Sequence, residues 1–105
     1  MILGRLLSSK FIQGFFYFSR TITATGTVGA QTIQKPSGTV NFAAAASALV
    51  VTNALVNANS IIYAVVRTND ATAAIKNVVP AAGSFTITLS AAATAETSVG
   101  FLITN

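Results

Sequence analysis

SFTITLS (Ser84–Ser90) alternates without a fault: Phe85, Ile87 and Leu89 fall on one side of the chain and Thr86 and Thr88 on the other. A period of two marks a half-buried β-strand, and β-branched and aromatic side chains suit a pleated surface. Upstream, Ala74 to Val79 is a second strand, ended by Pro80 and opened into a loop by Gly83. Downstream, Thr97 to Thr104 repeats the alternation with Val99, Phe101 and Ile103 on one face. These three segments set an all-β reading for what surrounds them.

Further out, Ile61 to Arg67 (IIYAVVR) is apolar on both faces apart from its last residue. Such a run predicts a central strand, one face in the domain's own core and the other against a second layer or a neighbouring subunit. Arg67-Thr68-Asn69-Asp70 then reads as a turn. Thr39 to Ala43 places Val40 and Phe42 together after a turn signal at Pro36-Ser37-Gly38, and Thr21 to Thr25 alternates before Gly26 and Gly29. The run AAAASA (43–48) is divided. Alanine favours helix, yet six residues are too few to hold one, and the flanks are β-like. A short helical turn or an irregular crossing between strands is expected there, and Ala91 to Ala95 poses the same choice. Seven or eight short strands, with turns every ~8–12 residues, predict an antiparallel β-sandwich or β-barrel-like domain. It spans residues 21–105, preceded over residues 1–20 by a basic aromatic arm, extended or in a short helix.

The 105 residues make one domain on length, with six Lys and Arg, two Asp and Glu, no His and no Cys. The formal charge of +4 is uneven. Arg5, Lys10 and Arg20 stand in the first twenty residues with no acid among them, and the remainder is nearly neutral. Phosphate-backbone binding needs clustered cations, so nucleic acid is not the expected partner. Without His or Cys the usual bases, thiolates and soft-metal ligands are missing. No phosphate loop, dinucleotide fingerprint or nucleophile–base arrangement occurs. The expectation is a protein that is not an enzyme and has no catalytic, cofactor or metal site. Asp70 reads as the acceptor of an Asx turn, calcium needing more carboxylates than this run supplies. Glu96 reads as a solvated edge charge or a partner of Arg67, and Lys76 as solvent-facing. Asn53, Asn57 and Asn59 read as an ordinary loop, with no Trp to make it a glycan reader.

The first twenty residues, MILGRLLSSKFIQGFFYFSR, open like a secretory leader, but Lys10 interrupts the apolar run and no small-residue cleavage box follows. The run is also too short and interrupted for a spanning helix, so a membrane is not the expected partner. On a helix, Leu3, Leu7, Phe11, Phe15 and Phe18 would form one stripe, broadened by Phe16 and Tyr17. Four successive aromatics cannot all enter so small a core, so the segment reads as an arm that docks on a neighbouring subunit, with an extra core strand or a capping helix as the alternative for part of it. Phe11, Phe15, Phe16, Tyr17 and Phe18 are accordingly candidate interface residues, with Tyr63 of the apolar strand as a core or interface aromatic.

From Gly38 to Asn105, the segments NFAAAAS, VTNALV, TNDATA, GSFT and AAATAET resemble a family of small virion-associated proteins of tailed bacteriophages and prophages. The resemblance covers about two thirds of the chain and carries no catalytic signature. It implies a structural protein of the virion, assembled in the host cytoplasm. The first expectation is a capsid decoration or cement protein bound to the major capsid protein or other virion subunits. The alternative is a tail, fibre or receptor-binding component. A homo-oligomer is expected, a trimer among the forms that fit.

Overall fold

The computed structural model describes residues 19–105. Eight strands are formed: β1 (Arg20–Ile22), β2 (Gln31–Thr32), β3 (Ser37–Phe42), β4 (Ala48–Thr52), β5 (Ile61–Val66), β6 (Ile75–Ala81), β7 (Ser84–Leu89) and β8 (Thr97–Thr104). They make two four-stranded sheets, a first in the order β1-β3-β8-β5 and a second in the order β2-β4-β7-β6. The two orders describe one pattern. Each consecutive pair, β1/β2, β3/β4, β5/β6 and β7/β8, is an arm that crosses once from sheet to sheet, and the arms lie in the same sequence in both layers.

Both sheets are mixed, which corrects the all-antiparallel expectation. β1 pairs with β3 in parallel, and β2 with β4 in parallel. The reason is topological. The chain crosses from the first sheet to the second in β1/β2, returns, and crosses again in β3/β4, so neighbouring arms run the same way. The remaining ladders, β3·β8, β5·β8, β4·β7 and β6·β7, are antiparallel. No helix occurs among the described residues. The alanine runs form irregular crossings over residues 43–47 and 91–95, Ala48 already opening β4, with Ala45 in the left-handed region at φ 72°.

The inward residues of β7 and β8 build the core as their alternation foretold. Phe85, Ile87, Leu89, Val99, Phe101 and Ile103 are all buried, joined by Val40 and Phe42 of β3 and Leu49 and Val51 of β4. Phe85 and Phe101 come from opposite sheets and meet edge to face, ring centroids 5.0 Å apart. Such pairs contribute about 0.5–1.5 kcal/mol beyond their buried area.

Three strand readings are corrected. β3 starts at Ser37, so Ser37 and Gly38 belong to the ladder and the bend precedes them at Lys35-Pro36. Pro80 lies inside β6 rather than beyond its end; β6 is the edge of its sheet, the position that tolerates a residue without an N–H. Most consequential, β5 is an edge strand with one face open, not a doubly buried central one. The strand buried at every position is β3, because residues 19–29 run along its polar side.

Gly38 is fixed by the Phe101 ring. A Cβ at residue 38 would stand 2.9 Å from Phe101 Cζ and 3.0 Å from the Thr21 carbonyl oxygen. Gly38→Ala is therefore expected to lower stability by about 1–3 kcal/mol, the usual cost of overpacking. Phe101→Leu in the same chain should recover part of that loss. Urea unfolding of the two single variants and the double variant measures the coupling; strictly additive effects would refute the proposed clash.

Candidate interaction surface

Two places concentrate polar or exposed chemistry: the crossing end of the domain and the outward face of the first sheet. At the crossing end, four connections lie side by side and are sewn together by hydrogen bonds. The Ala45 amide donates to the Ala93 carbonyl at 2.7 Å, and the Ala93 amide to Ala46 at 2.9 Å. Asn41, buried on the outer side of β3, donates through Nδ2 to the carbonyls of Ala24 at 2.9 Å and Thr27 at 3.1 Å. The Glu96 carboxylate accepts from the Gly26 amide, at 2.9 Å on Oε1 and 2.7 Å on Oε2. Glu96 is thus neither a solvated edge charge nor held by Arg67: it pins the tip of the β1–β2 crossing.

Asp70 is the hub of this end. Its Oδ1 accepts from the Thr72 amide at 2.9 Å and the Ala73 amide at 2.8 Å, the Asx turn that the sequence announces. Its Oδ2 reaches the next connection, accepting from the Thr94 amide and the Thr94 hydroxyl, both at 2.9 Å. The amides of Ala73, Thr72 and Thr94, then the Thr94 hydroxyl, hold the Asp70 carboxyl well below the usual carboxylate range, against a small opposing effect of burial. Both carboxylates of the chain therefore have structural duties.

The asparagines of the β4–β5 connection also divide. Asn53 is fully buried, donating to the Lys35 carbonyl at 2.8 Å and accepting from the Leu55 amide at 2.9 Å. Asn57 and Asn59 are exposed, with Asn57 Oδ1 accepting from the Asn59 amide at 2.8 Å. Lys76 is exposed on β6, as expected of it.

The outward face of the first sheet has another character. Register places Arg20, Ser37, Leu102 and Tyr63 in one row across the four strands, and Ile22, Thr39, Gly100 and Val65 in the next. Ile61, Tyr63 and Val65 are each about 60% exposed (59%, 61% and 60%), as is Ile22 at 61%. Gly100 leaves the middle of the second row without a side chain, and the stem of Arg67 lies over it. The result is an open groove of about 320 Å³, floored by Gly38 and Gly100, walled by Tyr63, Val65 and Leu102, with Arg20 and Arg67 among its lining. Large apolar side chains exposed side by side along one strand, as on β5, mark an interaction surface more often than a solvent boundary.

The edge beside that face is unguarded. β6, the edge of the second sheet, carries Pro80, Lys76 and a register shift between Ile75 and Asn77, three devices that discourage strand addition. β5, reading IIYAVV, carries no charge, no Pro and no shift.

Tyr63 is the one candidate interface residue within the described part of the chain, and its exposure removes the core alternative. Phe11, Phe15, Phe16, Tyr17 and Phe18 lie outside the described residues. Asn41 went unnoticed because its alternation with Val40 and Phe42 suggests a solvated position, and nothing local announces the carbonyls it gathers. The chain matches no family model, no curated protein and no solved structure.

Asp70 gives a signed pH test. A carboxylate with a depressed folded pKa stabilises above its unfolded value, about 3.9, and that contribution fades as pH falls below it. Asp70→Ala should be less stable than the parent at neutral pH. Asp70→Asn should fall between them, since it keeps an Oδ1 acceptor but turns donors toward Thr94. The gap between parent and Asp70→Ala should narrow below about pH 4, read as urea midpoints across the pH range; a gap independent of pH would remove Asp70 from this role.

Proposed function

We propose that the chain is a structural protein of a bacteriophage virion, a capsid decoration or cement protein that joins the head lattice through subunit contacts. The observation that carries the reading is the open face of the first sheet, with exposed apolar side chains along β5 and two bordering cations, beside an unguarded edge strand. A small domain with six basic and two acidic residues has little charge to keep such a face in water. A crowded protein lattice would cover it without many charges to desolvate or pair. The crossing end, rich in hydroxyls, amides and carboxylates, reads as scaffold because its carboxylates are committed to backbone amides. The role is one of binding rather than catalysis, with the major capsid protein or other virion subunits as partners and the virion as its location. The segment resemblance described above points the same way.

Imaging of intact particles at a resolution that places this chain is the deciding experiment. The reading expects it on the head surface, in register with the lattice; density confined to the tail would replace it with a tail or fibre component. A variant lacking residues 1–18 should fold, since β1 begins at Arg20, yet fail to bind expanded capsids. Normal decoration by that variant would show that the aromatic segment is not what attaches the protein.

A further inference from the structure

We propose that the groove on the outward face of the first sheet is the seat of the Phe11–Phe18 segment of a second copy of this chain. The inference deepens the assembly reading above by naming the contact through which copies join.

Attachment is the first ground. The described chain starts at Ser19, whose carbonyl accepts from Ser37 Oγ at 3.5 Å, and Arg20 follows in register with Ser37 at the edge of the same sheet. Arg20 itself lines the groove. The eighteen preceding residues are therefore tethered at the border of the sheet, and extended they reach at most about 60 Å, far enough for the equivalent groove of a neighbouring copy.

Chemistry is the second ground. Phe11–Phe18 reads FIQGFFYF: five aromatics, Ile12, one amide side chain, one glycine and no charge. The groove offers a floor of two glycines, where a ring can approach backbone, and walls of Tyr63, Val65 and Leu102. Offset or edge contacts with Tyr63 and the guanidinium groups of Arg20 and Arg67 suit aromatic guests.

Direction selects a second copy over the chain's own face. β1 runs parallel to β3 with Arg20 beside Ser37, so a chain continued upstream along the line of β1 would pass the Ser37 end of the sheet. Folding back would need a reversal within Phe15 to Ser19, where no Gly, Pro, Asn or Asp is present, the nearest glycine being Gly14. Aimed outward, the aromatic run meets the equivalent groove of a neighbour, which in turn offers its own segment onward or back.

Full-length protein tests this through two variants and their mixture, with mass in solution followed by light scattering over a concentration series. The segment variant carries Phe15→Ser, Phe16→Ser and Phe18→Ser. The face variant carries Tyr63→Thr and Val65→Lys, both at solvent-exposed positions. The parent should associate in a concentration-dependent manner, and each variant alone should be weakened at least ~30-fold, the cost of losing one hot-spot aromatic. Mixing the two should restore one-sided pairs, because one variant supplies an intact groove and the other an intact segment; recovery also shows that both are folded. A parent that stays monomeric overturns the proposal, as does a face variant that associates like the parent, or a mixture that recovers nothing. Association surviving in the segment variant overturns it in favour of β5-to-β5 edge pairing. None of these readings depends on particles, so absence of the chain from virions would refute the functional proposal and leave this contact standing.

Discussion

The edge-to-face meeting of Phe85 and Phe101 between the sheets is the contact on which the rest of the fold depends. Phe85 comes from the middle strand of one sheet and Phe101 from the middle strand of the other, so the pair joins the two halves of the β7/β8 arm. The β3/β4 and β5/β6 arms lie on either side of that one, and β1/β2 packs outside β3/β4. The Phe101 ring also occupies the space that a side chain at residue 38 would fill, which makes Gly38 part of the same contact. A residue chosen for absence on β3 is thus set by a residue chosen for bulk on β8. Gly100, one residue earlier on β8, lacks a side chain on the opposite surface, and there the Arg67 stem lies over it.

Scarcity of charge takes on a specific meaning once the crossing end is seen. Four irregular connections expose many backbone amides, and the unpaired ones are costly if left without acceptors. Asp70 and Glu96 supply concentrated acceptor capacity to connections adjacent in space but distant in sequence. Asn41 supplies donors to carbonyls of the first crossing. No buried side-chain polar atom among the described residues lacks a partner. The two acids are therefore consumed in holding the loops, and the remaining charges are cations, two of which border the open face.

Much of this fold is written in local alternation. SFTITLS and TSVGFLIT place their inward and outward residues correctly because each strand is central, so one face always meets the core and period two survives. Asp70 is legible for the same reason: an Asx turn is closed by residues two and three positions away. What escapes is whatever depends on sheet order. IIYAVVR has the composition of a doubly buried strand, yet its place at the edge is decided by which arm crosses beside β8, a fact no window of the chain contains. SGTVNF shows the converse, its polar Ser37, Thr39 and Asn41 being buried by a segment up to eighteen residues upstream. Glu96 lies seventy residues from the amide it binds. The parallel pairings of β1 with β3 and of β2 with β4 are likewise properties of chain path, invisible to propensity.

The two outward faces of the domain differ, and the difference bears on how it could sit in an assembly. On the second sheet, Val50, Thr86 and Val79 form one row beside Thr88 with Ala48 and Asn77, and Ser84 with Thr52 and Ala81. Hydroxyls separate the valines, so apolar side chains there are single and water can remain between them. On the first sheet the exposed apolar residues Ile61, Tyr63 and Val65 follow one another along β5, with half-buried Leu102 directly beside Tyr63 and no hydroxyl between them. The same asymmetry marks the edges, where the second sheet is closed by Pro80 and a bulge and the first is left open. A domain with one hydroxyl-bearing face and one richer in large apolar side chains has a built-in direction: a protein partner would gain more by covering the first sheet, and the second can remain in water.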